Sequence, residues 1–417
     1  MNTRFRHPLA AGFCFGLILG LATAGIGTSQ TAKLGPLEEL GKKLFFDKNL
    51  STPPGQSCAA CHDPLDGWVG STDNKTAVYE GALKGRFGNR KPPSAAYAGA
   101  SPLFYQNAEK DFVGGMFWDG RATGAAWKDP LAEQAGGPFL NPLEQNNPDN
   151  KAVVVKVRNS DYAALFEQVW KVPRVDWDKA VDATYEKICR SIAAFERSAE
   201  VSPFDSQFDL FWNHAGAKNL MVEAISAANA KRYAGLGLND AELQGLVLFN
   251  TKAQCARCHI LTASPNGKPP VFTDYTYDNL GVPVNPANPF YAMDKAFNPE
   301  GRNWKDPGLG GFLKSEPRYA AYAEKNMGKH KVPTLRNVDL RRDPKAVKVF
   351  MHNGSLQSLK DVVHFYNVRD VARFPAPEIK ANINTEEMGN LKLTDAEENA
   401  VVAFLKTLSD HYIPPKK

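Results

Sequence analysis

The chain has 417 residues, 43% of them hydrophobic and 23% charged, the balance of a globular protein long enough for two cores rather than one. Its formal net charge is +5, and removal of Arg4 and Arg6 with a leader lowers this by two. So small a surplus, with no basic run, excludes a nucleic-acid partner.

Residues 1–24 have the three parts of a secretory leader: Arg4 and Arg6, an apolar run from Leu9 to Leu21, and the small-residue site Ala22-Thr23-Ala24. Cleavage near Ala24, export to a bacterial periplasm and a mature chain without a transmembrane helix are the expectations. An uncleaved anchor stays open, because no charge occurs between this run and Lys33.

Leu37, Leu40 and Leu44, widened by Phe45 and Phe46, predict an amphipathic helix over 36–47. It leads into Cys58-Ala59-Ala60-Cys61-His62, and a second CxxCH follows at Cys255-Ala256-Arg257-Cys258-His259. The spacing is chemical. Two thiols add to the two vinyl groups of one porphyrin, and the histidine after the second thiol is placed to ligate its iron. Two covalently bound haem c groups are therefore expected, attached through Cys58, Cys61, Cys255 and Cys258, with His62 and His259 as iron ligands. Zinc or redox CxxC pairs are the alternative, but zinc ribbons bring their pairs much closer together.

Residues 63–150 are rich in Gly, Pro and Asn and read as ordered loop, since their many aromatics argue against disorder. Helical patterns follow near Tyr162–Trp170 and Trp177–Arg197, the latter holding Cys189 as a small buried hydrophobe. An Ala- and Gly-rich stretch, 215–238, reads as a domain boundary. Asn239 or Asp240 then caps a second helix. Its Glu242-Leu243 and Val247-Leu248-Phe249-Asn250 match Glu39-Leu40 and Leu44-Phe45-Phe46-Asp47 at an offset of 203 (242 − 39). After His259 comes a Pro- and Asn-rich span, a helix near Ser358–Tyr366, and a last helix opened by a Thr394/Glu397 capping box. The predicted fold is mainly α, with two cytochrome c-like one-haem domains and long ordered loops. The domains span 25–225 and 226–417, and whether the last helix packs back on the first is left open.

Both CxxCH motifs, Phe117-Trp118-Asp119-Gly120-Arg121-Ala122, the stretch Gln134–Glu144, Val332-Pro333-Thr334-Leu335-Arg336-Asn337 and His352-Asn353-Gly354 together resemble the bacterial diheme cytochrome c peroxidases and their MauG-type relatives. The resemblance runs from about Leu37 to Leu408. It implies that hydrogen peroxide reacts at the His62 haem, with Glu144 as acid/base carboxylate, Gln134 helping to hold the pocket, and Trp118 between the haems. Asp119 and Arg121 are expected to hold their loop by a local ion pair. Counting the family's step from His352 arrives at Tyr366 as far-side ligand of the His259 haem, where the peroxidases carry methionine and MauG-type proteins tyrosine. A tyrosinate favours ferric and higher oxidation states. Met351, Met388 or no ligand are the other readings.

Two departures from the family matter. No histidine occurs between His62 and His214, so the ligand that blocks the first haem of reductively activated peroxidases is missing. The family's interhaem calcium is held partly by an asparagine side chain, and the matching run here is Arg90-Lys91-Pro92-Pro93. A lysine cannot ligate calcium. Either its ammonium replaces the ion, or the site is rebuilt from carbonyls and water. His214, His330, His364 and His411 read as surface or structural groups, and His352 as a hydrogen-bonding group near a haem propionate.

The functional expectation is an exported diheme enzyme using peroxide, tilted by Tyr366 toward MauG-like oxidation of a partner protein. The alternatives are a peroxidase fed by a cytochrome c or cupredoxin, and a non-catalytic diheme electron carrier.

Overall fold

The computed structural model describes residues 33–414 except 75, 265 and 266, so the leader at 1–24 lies outside the described residues. None of the described helices is long and apolar enough to cross a membrane. The architecture is mainly helical, with two short antiparallel ribbons, β1 (Tyr105–Gln106) with β2 (Phe112–Val113) and β3 (Tyr277–Asp278) with β4 (His330–Lys331).

Two helix crossings organise it. In the first core α1 (Pro36–Phe46) crosses α5 (Val181–Glu196), flanked by α2 (Pro130–Leu140), α3 (Asn150–Arg158) and α4 (Ala163–Trp170). In the second, α6 (Gln207–Ala217) and α9 (Leu359–Val368) flank the crossing of α7 (Asp240–Asn250) with α10 (Asp395–Lys406). Between them in sequence, α8 (Gly308–Ser315) packs with Phe104, Phe112 and Tyr277 in a smaller aromatic cluster.

Each crossing depends on one glycine. A Cβ on Gly41 would lie 1.9 Å from the Ser191 carbonyl oxygen, and one on Gly245 would lie 2.0 Å from that of Ala400. No other residue allows the two backbones so close. This equivalence sets the repeat at 204 (245 − 41) and corrects the offset of 203. The caps agree: Glu38 accepts the Gly35 N–H at 2.7 Å and Glu242 that of Asn239 at 2.8 Å, again 204 apart. Leucine-rich helices match one another in several registers, whereas a backbone contact permits one.

The predicted helices are found within a few residues of their expected ends, and Asn239 and Thr394 are the caps of α7 and α10. Cys189 is fully buried beside α2. The span 63–150 is dominated by loop as expected, but one helix in it was missed, α2. Its Gly136, Gly137 and Pro138 disguise a helix whose N-cap, Asp129, accepts the N–H groups of Leu131 and Ala132, while Glu133 accepts those of Gly124, Ala126 and Trp127. Phe208 to Ile225, assigned by sequence to the first domain, pack in the second core. The last helix lies along α7. Beyond it, Asp410 accepts a hydrogen bond from the Tyr97 hydroxyl at 2.7 Å.

Candidate active site and its two haem cradles

The two motif histidines are prepared in the same way. His62 Nδ1 lies 3.2 Å from the Trp68 carbonyl oxygen, and His259 Nδ1 lies 2.8 Å from that of Phe272. A carbonyl can only accept, so Nδ1 carries the hydrogen and the Nε2 lone pair is free for a metal. Burial lowers both imidazoles to about 4, which keeps them neutral. Both carbonyls come from turns with positive φ, 60° at Trp68 and 56° at Phe272. Each turn is pinned by a hydroxyl: Ser94 donates to Gly67 O at 2.9 Å and Thr334 to Val271 O at 2.6 Å.

The residues present fit haem. Burial pushes the Cys61 and Cys255 thiols up to about 12, and those of Cys58 and Cys258 also well up. The two pairs also pack against different cores. Cys255, Cys258 and His259 open on a mostly apolar cavity walled by Phe249, Leu359, Val363 and Tyr366. Beside the first motif, the Gln56 and Gln145 amides lie 3.8 Å from Cys61 Sγ and 3.9 Å from Cys58 Sγ, and their buried carbonyl oxygens have no protein partner.

The faces opposite the histidines differ. Phe117–Ala122 and Met351–Leu356 are equivalent turns, each closed by a backbone hydrogen bond of 2.8 Å, Met116 N to Ala122 O and Phe350 N to Leu356 O. The helix after each turn begins at a side-chain N-cap, Asp129 for α2 and Ser358 for α9. Eight residues on from Ser358 stands Tyr366 (366 − 358), in the cavity wall with His259. Eight on from Asp129 stands Gly137 (137 − 129). Counted from the two caps, the first half has a glycine where the second has a phenol. Met351 and Met388 also line the second cavity.

Gln134 lies three residues before Gly137, on the same side of α2, and is half-buried. Glu144 follows in a tightly held turn. Its N–H donates to Asn141 O at 3.0 Å, its carbonyl accepts the Ala82 N–H at 2.7 Å, and a Cβ on Gly81 would strike Leu143 O at 2.3 Å. Burial raises the Glu144 carboxyl above the ordinary range and Arg121 pulls it part of the way back. Arg121 pairs with Asp119 at 2.8 Å as expected, and Arg90 extends the pair to Asp306.

Trp118 belongs to the wall of the second cavity. Its Nε1–H donates to the Lys91 carbonyl at 2.7 Å, and its own carbonyl accepts the Lys331 N–H at 2.8 Å. Sequence reasoning missed the group beside it. His330 and His352 stack at 3.7 Å, 6.5 and 6.4 Å from the indole, with Nε2 atoms 3.3 Å from Asp306 and Glu378 respectively. The available signal was repetition, since Arg90-Lys91-Pro92-Pro93-Ser94 and His330-Lys331-Val332-Pro333-Thr334 are equivalent segments. His214, His364 and His411 bond to Leu236 O, Glu398 and Asp205.

The sequence profile of the di-haem cytochrome c peroxidases matches residues 36–216. The methylamine utilization protein MauG of Paracoccus denitrificans is 31% identical over 416 residues, 95% of each chain. The chain belongs to the di-haem cytochrome c peroxidase and MauG family. A cytochrome c551 peroxidase of Nitrosomonas europaea is 28% identical, over 91% of this chain and 81% of that one. The diheme peroxidase BthA of Burkholderia thailandensis superposes with a TM-score of 0.68 at 27% identity, covering 91% and 90% of the two chains. Membership makes this an enzyme, a peroxidase with two haem c groups that uses peroxide and a redox partner.

Proposed function

We propose that this protein is an exported, periplasmic diheme enzyme of the MauG-like kind, in which peroxide reacts in the N-terminal unit and the oxidising equivalents pass through Trp118 to the C-terminal unit and on to a partner protein. The observation that carries the reading is the asymmetry between Gly137 and Tyr366, one face open and the other closed by a phenol. His62 would hold the peroxide-reacting haem, and His259 with Tyr366 the storing one. The haems supply the iron chemistry that accepts two oxidising equivalents per peroxide.

The chain's own groups handle protons and position. Reducing one peroxide to two waters consumes two protons and two electrons. Glu144, on a turn that cannot swing, takes the proton of the near oxygen and delivers it to the departing one. Gln134, one helical turn from Gly137, lines the same opening. The two units, with the chain divided near 225, would each be cytochrome c-like. Glu144→Gln is expected to abolish peroxide turnover while two haems stay bound; retained turnover would remove its catalytic role.

The peroxidase names of relatives 28% identical favour a second reading, removal of peroxide with electrons from a small cytochrome c or cupredoxin. Mixing the peroxide-treated enzyme with reduced cytochrome c separates the two. Rapid oxidation of the cytochrome supports the peroxidase, and an oxidised enzyme that survives the donor supports protein oxidation.

A further inference from the structure

Three lysines line one cavity where the two halves meet, facing backbone carbonyls and aromatic rings rather than carboxylates. Lys91, Lys331 and Lys348 all line the cavity of the second motif. Lys348 donates to three backbone carbonyls, Asp66 at 3.0 Å, Asn337 at 3.1 Å and Leu340 at 2.6 Å, and so ties the two halves together. The Lys331 ammonium lies 3.3 Å from both Gly114 O and Tyr275 O, and over the rings of Tyr275 and Tyr277 at 5.0 and 5.5 Å. The Lys91 ammonium reaches only Pro92 O, at 3.4 Å, and its field is felt by both His62 and Lys348.

This donor set does not fit calcium, which takes six to eight oxygens, several of them carboxylate. The carbonyls that could serve are already used. Gly114 O accepts the Tyr277 hydroxyl at 2.5 Å besides Lys331, Tyr275 O accepts the Gly114 N–H, and Trp118 O accepts the Lys331 N–H. Among the described residues no carboxylate is paired with Lys91, and the one acid drawing on Lys331, Asp274, is bound by Thr276 through both N–H and hydroxyl. A dication placed here would face ammoniums instead of oxygens.

We infer that the charge between the two haem units of this enzyme is carried by the ammonium groups of Lys91 and Lys331, and that no calcium is taken up there. The inference rests on the reading of the two CxxCH units as haem sites with Trp118 between them. Lys91 and Lys331 are positioning residues: the carbonyl of one and the N–H of the other hold the two polar ends of Trp118, and an ammonium tethered to the chain cannot diffuse away as an ion can, although burial lets Lys331 lose its proton as pH rises through about 7. Such an enzyme needs no loading with calcium and resists chelators.

The test uses the two-haem holoenzyme. Metal analysis after gel filtration is expected to find no stoichiometric calcium, and neither EGTA nor added calcium is expected to change the visible or EPR spectra of either haem. One calcium per chain, or a spectral change with chelator, overturns the inference. Lys91→Met and Lys331→Met, each removing one positive charge, are expected to shift the haem midpoint potentials negatively, whereas Lys91→Arg and Lys331→Arg keep them. The titration is run at about pH 6, below the values of about 8 and about 7 to which burial lowers Lys91 and Lys331. Unshifted potentials in the methionine variants would overturn the role of the lysines. If those variants fail to mature, the calcium content and the arginine variants still decide. A protein that binds two haems without reacting with peroxide would instead count against the proposed function, leaving the calcium result to stand by itself.

Discussion

The indole of Trp118 donates its hydrogen to the Lys91 carbonyl at 2.7 Å, on a wall shared by the second cavity and a residue whose charge reaches His62. A carbonyl oxygen is too weak a base to take that hydrogen away, so an oxidised Trp118 keeps it and remains a cation. Trp118→Phe preserves most of the packing and removes both the donor and the easily oxidised ring. Exchange of oxidising equivalents between the two haems is expected to slow at least about tenfold, or ~1.4 kcal/mol in barrier, with both haems retained. Stopped-flow spectra after one equivalent of peroxide measure this, and an unchanged rate would mean that the ring is only packing.

In the proposed function Gly137 leaves the first face open. A Cβ there would lie 3.0 Å from the edge of the Phe117 ring, a contact the ring can relieve by tilting. Gly137→Met is therefore expected to fold and to place a thioether where the second half has Tyr366. The high-spin ferric signal of the first haem should become low-spin and the reaction with peroxide should slow at least about tenfold. An EPR spectrum and a peroxide titration give the answer, and a variant that stays high-spin and fully reactive would show that α2 and α9 do not present equivalent positions to their haems.

Tyr366→Phe is the matching change in the second half. Loss of the phenol oxygen is expected to alter the low-spin ferric signal of the second haem and to raise its reduction potential, because a neutral or absent donor stabilises ferric iron less than a tyrosinate. An unchanged EPR spectrum would transfer the role to Met351 or Met388, which share the cavity wall.

The raised Glu144 carboxyl predicts the pH dependence. Its protonated form persists to higher pH than that of a free glutamate, and only the carboxylate can accept the peroxide proton. The second-order rate with peroxide is expected to rise as pH increases through the elevated pKa and to fall away below it. In Glu144→Gln this limb should vanish from the residual rate. A limb that survives the substitution would assign it to another group.

Arg336 predicts stability. Its guanidinium is buried, pairs with Asp209 at 2.7 Å, donates twice to Pro270 O, and lies within 5.1 to 5.6 Å of the rings of Tyr97, Phe204, Phe208 and Phe272. Arg336→Met leaves Asp209 charged and buried, at a cost of about 3–5 kcal/mol. Urea denaturation of the holoenzyme measures it. A loss below about 1 kcal/mol would show that Asp209 finds water or another donor.

The sequence by itself determined the two CxxCH motifs with the histidines proposed to hold iron, the helices that enter the motifs and the family, because all of these are local. A CxxCH needs only five adjacent residues, and a capped amphipathic helix only its own periodicity. Tertiary structure alone decided the register of the repeat, through the backbone contacts of Gly41 and Gly245 that no hydrophobic pattern reports. It also decided the existence of α2, whose Gly-Gly-Pro stretch contradicts helix propensity and is tolerated because Gly136 must lie against Cys189 and Tyr185. Lys91, read in isolation, was a missing calcium ligand. Folding brings it within the field of Lys348 and onto the wall of a cavity that Lys331 also lines, both more than 200 residues away in sequence, and such a grouping of charge depends on distances that only the packed chain creates.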